Sequence, residues 1–436
     1  MKHRARKARD GLRSLIREVA ENAAQFVRDP KRDFTRVRKL GMESLLTVLL
    51  CMEGKSLSCE LLSHFGCSPS IISTPGFVQQ REKLLPKTME YIFRKFSDSF
   101  HGNRLYRGFR LLATDGSDVQ IPTDPTDKES YFPGSRGHKP YNITKIAALY
   151  DLQNHCYVDA VIKGKAVANE NKLLVEMLRR SEIKEPVILV ADRNFECWDT
   201  LAQLQSKGWF YLIRVKEQKG FISGLNVPNK EEFDLPVELS LTRRSSKAVK
   251  ELCADRNRYR YIPTCVRCDP LDQSGEAFYM LPFRLVRIKL PNGNVEVLVT
   301  NLDEARFPPK ELKKLYDMRW GIETSFRELK FTIGLLHFHS KKAAFILQEI
   351  FSRLIIYNFT EFITARVVQK KSGNKHDCRV RFPEAVLICR QLLRGRTDPE
   401  LAEAAIARYV SPVRSGRNAP RNLNEKKPVY FIYRVA

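Results

Sequence analysis

No stretch of this 436-residue chain approaches the roughly eighteen consecutive apolar residues that a membrane-spanning helix needs, so no segment is expected to enter a bilayer. The opening Met1-Lys-His-Arg-Ala-Arg-Lys7 lacks the apolar core of a secretory signal, which points to a cytoplasmic, nucleoid-associated protein. Cysteine is present without pattern: ten residues, irregularly spaced, read as reduced thiols rather than a disulfide framework. Cys265 and Cys268 alone have metal-like spacing, and without a second pair or spaced histidines no zinc site is expected. Cys51, Cys59 and Cys67 read as helix or loop residues. Acidic residues are the scarcer charge, 50 Asp and Glu against 75 Lys and Arg, for a net charge of +25. That excess draws polyanions, nucleic acid foremost, although ribosomal and membrane-surface proteins share the same balance. No internal repeat is visible.

What is present suffices for a substantial core: 43% of the residues are hydrophobic, and the length suggests roughly two to four structural units. Residues 1–104 have helical periodicity, with clusters such as Leu45, Leu46, Val48, Leu49 and Leu50 interrupted at Pro69, Pro75 and Pro86. This basic, all-helical part suits either DNA-end binding through a helix-turn-helix unit or a packing scaffold. From about 105 the character changes. Phe109 to Ile121, Ile143 to Tyr150 and Tyr157 to Ile162 read as three strands, Asn171 to Arg180 as a helix, and Pro186 to Asp192 as a buried strand. Cys197 to Lys207 is a helix and Trp209 to Val215 a further strand. Three strands, helix, strand, helix, strand is the order of a ribonuclease-H-like sheet. Residues 217–301 read as a β-rich insertion, with a hairpin of Leu281 to Leu290 and Asn294 to Thr300 around Pro291-Asn-Gly293. A long helix is predicted after Pro308-Pro309, and residues 346–436 form a helical, basic C-terminal region whose last part is rich in Arg, Asn and Pro, the composition of a partly disordered tail. The fold class is therefore α/β, with a catalytic domain at 105–345 between helical regions.

The long helix carries Tyr316, Arg319, Glu323 and Lys330 at offsets of 3, 7 and 14. At about 100° per residue these fall within roughly 60° of one another, one polar stripe with a carboxylate between cations and a phenol. Such a stripe can hold a metal ion beside phosphates; a solvated helix face is the competing reading. Two aspartates join it. Asp115, in Leu111-Leu-Ala-Thr-Asp115-Gly-Ser, lies in the first predicted strand, and Asp192 closes the fourth. In a ribonuclease-H-like sheet those strands are neighbours, so Asp115, Asp192 and Glu323 can converge on hard divalent cations flanking a scissile phosphate. Asp118, of opposite strand parity, replaces Asp115 if the register is one residue out, and Asp192 also suits an ordinary turn.

These residues resemble the DDE transposases of bacterial insertion sequences, in particular insertion sequence family four. That family's helix motif, Tyr, two residues, Arg, three residues, Glu, six residues, Lys, is complete here as Tyr316, Arg319, Glu323 and Lys330. Asp-Gly-Ser at 115–117 and Ala-Asp-Arg-Asn-Phe at 191–195 correspond to the blocks holding its first and second Asp. The resemblance, over about 105–345, implies a ribonuclease-H-like domain with a β-rich insertion. It implies cut-and-paste transposition dependent on two magnesium ions, or manganese in their place, acting on double-stranded DNA: the element's inverted repeats and the target. A homodimer pairing the ends is expected, and in several relatives the ends pass through a hairpin. Asp115, Asp192 and Glu323 are then the catalytic metal ligands. Tyr316, Arg319 and Lys330 contact the DNA backbone, and Trp320, three residues before Glu323, helps to hold a flipped base. Indole offers a large stacking face, and Arg319 a bidentate grip on phosphate; the competing reading of Trp320 is a core residue. The glycine-rich basic loop 133–139 is a further candidate for phosphate contact. An inactive DNA-binding relative and a nuclease without strand transfer are the alternatives.

Overall fold

The computed structural model describes residues 4–412, apart from 37–38, 68–70, 135–138, 218–219, 221, 267 and 366–377. The centre of the basic loop, including Arg136 and His138, and the tail beyond 412 thus lie outside the described residues.

Five helices come first: α1 (Arg4–Glu21), α2 (Met42–Cys51), α3 (Leu57–Phe65), α4 (Thr74–Glu82) and α5 (Lys87–Ser99). Ser56 and Ser73 cap α3 and α4 by accepting bonds from the backbone N–H groups of Cys59 and Gly76. The strands and helices that follow are β1 (Arg110–Ile121), β2 (Tyr131–Phe132), β3 (Tyr141–Asp151), β4 (Cys156–Gly164), α6 (Glu170–Arg180), β5 (Val187–Ala191), α7 (Trp198–Ser206) and β6 (Phe210–Val215). All the strands and helices predicted across this stretch are found, with ends shifted by one or two residues; β2 was too short to register. Between β6 and the next long helix lie β7 (Phe233–Thr242), α8 (Lys247–Leu252), β8 (Tyr259–Tyr261), α9 (Asp269–Ser274), β9 (Tyr279–Lys289) and β10 (Val295–Thr300). Gly293, at φ +81°, closes the β9–β10 turn in a conformation that L side chains rarely adopt. Then come α10 (Pro309–Met318), α11 (Trp320–Phe331), α12 (Ala343–Thr364), the short β11 (Cys378–Val380), α13 (Phe382–Leu393), α14 (Pro399–Arg408) and β12 (Val410–Pro412).

One ten-stranded sheet organises the molecule in the order β2-β3-β1-β5-β6-β10-β9-β7-β8, with β4 also paired to β3. β1 runs antiparallel to β3 and parallel to β5, and β5 runs parallel to β6. The strand-rich segment after β6 adds its strands to the same sheet, because β10 pairs antiparallel with β6.

Strand alternation sends neighbouring side chains to two separate cores. Leu111, Ala113, Val119, Ile188 and Val190 join a large cluster shared with the N-terminal helices and α10 to α14, while Leu112, Val187, Leu189 and Ala191 face α6 and α7. α12 runs through the first core, buried nearly all round, which explains why its sequence shows no polar face. From α12, Asn358 joins three elements: its carbonyl accepts from Tyr157 N (2.8 Å), and its amide donates to Tyr157 O (2.7 Å) and Ser97 Oγ (2.9 Å). α12 begins at Ala343, so the boundary expected at 345 falls in its first turn.

Candidate active site

Strand parity settles which carboxylates share a face. Asp115 has the parity of Leu111 and Ala113, and Asp192 that of Ile188 and Val190, so both project toward the helical core. The β1–β5 register pairs Ala113 with Val190, and its continuation sets Asp115 opposite Asp192, on strands about 4.8 Å apart. α11 packs over this face through Ile322, Phe326 and Leu329, bringing Glu323 to the same side. Three residues far apart in sequence thus lie on the same side of the sheet.

Their electrostatics register the proximity. Burial pushes Asp115 up to about 7; the carboxylates of Asp192 and Glu323 add to the rise, and the Gly116 N–H bond and Arg319 oppose it. Asp192 is raised by burial too, with Glu170 and Glu323 contributing, against the Asn194 N–H and Arg319. Asp192 also accepts from Asn194 N (2.9 Å), so the turn role and the shared face coexist. Among the described residues, no three His, Cys, Asp or Glu side chains stand close enough together to cage a metal ion. Glu323 instead meets Arg319 Nη1 at 2.7 Å. Carboxylate oxygens in this number are nevertheless the donors that suit a hard divalent cation, and their mutual repulsion is what such a cation relieves.

The polar stripe is present but not on one helix. α10 ends at Met318 and α11 starts at Trp320, with Arg319 N bonded to Tyr316 O and Ile322 N to Arg319 O, both at 3.1 Å. These tighter i→i−3 bonds interrupt the single long helix that the periodicity predicts. Just after this joint Gly321 packs closely on the end of β3: a Cβ there would lie 2.8 Å from Leu152 Cδ2, so a larger residue would have to push one of the two aside. Tyr316 and Arg319 are buried, and the guanidinium lies over the rings of Tyr316 (5.6 Å) and Trp320 (5.4 Å). Arg319 Nε is buried with no hydrogen-bond partner among the described residues. Trp320 is 52% exposed, which overturns the core reading of it. Lys330 Nζ donates to Asp118 O (2.9 Å), and burial lowers its pKa.

Asp118 faces the other way. Its carboxylate pairs with Lys145 (3.0 Å) and with Lys165, which together outweigh burial and hold it below the usual carboxylate range. That rules against the shifted register. Glu170, which the sequence reading missed, lies on the Asp118 side of β1, where a Cβ on Gly116 would meet its carboxylate and where it pairs with Lys145 at 2.5 Å; its charge still adds to the rise at Asp192. No spacing in the chain signals this, since Glu170 is placed by packing of the start of α6. Of the cysteine pair, Cys265 is exposed and Cys268 buried. A cavity of about 890 Å³ lies elsewhere, between α5 and the starting ends of β1 and β5, away from the carboxylates.

The sequence profile of the transposase DDE domain matches residues 106–359, and the chain belongs to the DDE transposase family. It is similar to the transposase InsG for insertion sequence element IS4 of Escherichia coli (strain K12), with 22% identity over 420 residues, covering 90% of this chain and 87% of that protein. As a member of that family it is a transposase, an enzyme that cleaves DNA and transfers strands. DDE transposases use divalent metal ions and act on DNA. A cryo-EM structure of the piggyBac transposase synaptic complex with hairpin DNA aligns with 95% of this chain and 86% of its own, at TM-score 0.47 and 11% identity, a likeness too distant to bear on the site. No helix among the described residues is long and apolar enough to cross a membrane.

Proposed function

We propose that Asp115, Asp192 and Glu323 are the catalytic trio of a cut-and-paste transposase, acting at the inverted repeats of its own element and then on target DNA. The observation that carries this is the placement of Asp115 on β1 and of Asp192 directly after the neighbouring parallel β5, on the face covered by α11. The sheet order β4-β3-β1-β5-β6, with β1 between an antiparallel and a parallel neighbour, supports a ribonuclease-H-like catalytic domain over 105–345, with 217–301 as its β-rich insertion. Residues 1–104 serve DNA-end binding, 346–436 are the helical C-terminal region, and two copies pair the two ends.

The carboxylates fit two magnesium ions, or manganese, which when bound activate the attacking oxygen and stabilise the leaving one. The protein's own groups do the positioning. Glu323 is held by Arg319 and would be the third carboxylate to hold the ions. Arg319, its guanidinium over two rings, offers the unpartnered Nε to a phosphate oxygen. Tyr316 braces that guanidinium, Lys330 supplies a point charge at the strand backbone, and the exposed face of Trp320 receives an extruded base.

The test uses supercoiled plasmid carrying the element's flanking repeats. End-specific nicks are expected with magnesium, none with chelator, and none for Asp192→Ala. Glu323→Gln should abolish nicking while leaving DNA affinity within about twofold, because the basic surface is intact. Nicking that survives Asp192→Ala, or binding lost in Glu323→Gln, overturns the assignment.

A further inference from the structure

α11 presents a second aromatic that no part of the catalytic motif uses. Phe331, at the last position of the helix, is 64% exposed, and Trp320, at the first, is 52% exposed. Eleven residues apart, they share an azimuth to within about 20° and stand about 16 Å apart along the axis. Arg327 is exposed too, seven residues after Trp320 and within about 20° of the same line. Glu323 and Lys330 lie about 60–80° round the helix from this ridge, on one side of it. An aromatic, a cation and an aromatic therefore run in file alongside the catalytic edge.

We infer that this ridge is a track for single-stranded DNA, with Phe331 as a second base-stacking platform beyond Trp320. The inference rests on the catalytic reading above and extends it. Three features favour an unpaired strand. Ring faces in isolation match separately presented bases, whose own faces are hidden in a duplex interior. Arg327 lies between the rings, where a strand stacked at both ends brings its phosphates, and the chain's charge of +25 suits that polymer. The two rings are too widely separated by polar positions to form the contiguous apolar patch of a protein interface. At the 3.4 Å rise of a stacked strand, about 16 Å corresponds to roughly five nucleotides. The ridge thus holds the strand that frays when the end is opened, and keeps it beside Glu323.

Fluorescence anisotropy with the full-length protein tests this, using a labelled oligothymidylate of about 15 nucleotides and a blunt duplex of unrelated sequence. Phe331→Ala is expected to weaken oligothymidylate binding about fivefold or more and duplex binding less than twofold, as the loss of one stacked base implies. Phe331→Tyr should restore binding, Trp320→Ala should behave like Phe331→Ala, and Leu401→Ala, equally exposed on α14, should change neither ligand. Circular dichroism confirms that each variant is folded. Unchanged oligothymidylate binding by Phe331→Ala, or equal losses for both ligands, overturns the inference. So does a shift of that variant to a smaller species in sedimentation, which assigns the ridge to contact between copies. End-specific nicking by the unaltered protein beside a silent Phe331→Ala leaves the catalytic reading standing alone; failure of the unaltered protein to bind any DNA ends both.

Discussion

Glu349 lies fully buried in α12, with Arg81 Nη1 at 2.9 Å, His339 Nδ1 at 3.1 Å and Arg353 Nη2 at 3.7 Å. Burial pushes its carboxyl up, but Arg81, His339 and Arg353 together outweigh that and hold it at about 2. A folded-state value below the ordinary 4.5 means that the stabilisation is complete above about pH 4.5 and drains away as pH falls toward 2. Glu349→Gln, which leaves Arg81 and Arg353 buried without their counter-charge, is expected to cost about 3–5 kcal/mol at neutral pH. Denaturant unfolding of the two proteins checks this, and the gap between them should narrow once pH drops below 4.5. A gap indifferent to pH would mean that shape, not charge, is what the substitution removes. At the catalytic face, single residues were legible to different degrees. Asp115 and Asp192 were readable because strand parity is a local property. The choice against Asp118 depended on Lys145 and Lys165, and the nearness of Glu170 on packing between α6 and β1; both come from distant parts of the chain.

Among the elements, α11 is the one whose exact position matters most, since it carries Glu323 over a site built on strands. Gly321 permits its first turn to approach Leu152. Gly321→Val should displace that turn by a fraction of an ångström to about 1 Å, and cleavage should fall about ten- to hundredfold as the carboxylate leaves its line with Asp115 and Asp192. Nicking rates set against DNA affinity measure this: affinity should hold while the rate falls, and an unchanged rate would show that α11 tolerates the shift. The interruption at Arg319 was not foreseen because the apolar periodicity continues through it, and the tighter bonds of Arg319 N and Ile322 N leave no mark in the sequence. Strands with apolar runs or clean alternation, such as β5 and β10, were legible from the chain. β7, with Pro236 and alternating exposure, was not located, because its place is set by pairing with β9.

At the scale of the whole molecule, the sheet and the terminal helices share one core. Tyr150 and Tyr157 of the sheet pack against Tyr357 of α12, Asn358 satisfies both backbone groups of Tyr157, and α12 in turn packs against α2, α5 and α13. A fragment of residues 105–345, although it contains all three proposed catalytic carboxylates, keeps only the first turn of α12 and none of α1 to α5. It should therefore lack a cooperative thermal transition and nick no DNA, whereas the full chain should melt cooperatively. A fragment that unfolds in a single sharp step would show that the sheet stands without its helical partner. The +25 charge was readable as attraction to polyanions, but nothing in composition revealed that helices from both ends of the chain complete one interior.

α12 sets a schedule as well as a shape. The helices that precede it leave the ribosome with their apolar faces unmet, and the partner that covers them is translated only after residue 343. A polypeptide that stops short of residue 343 should therefore be inert rather than a loose nuclease.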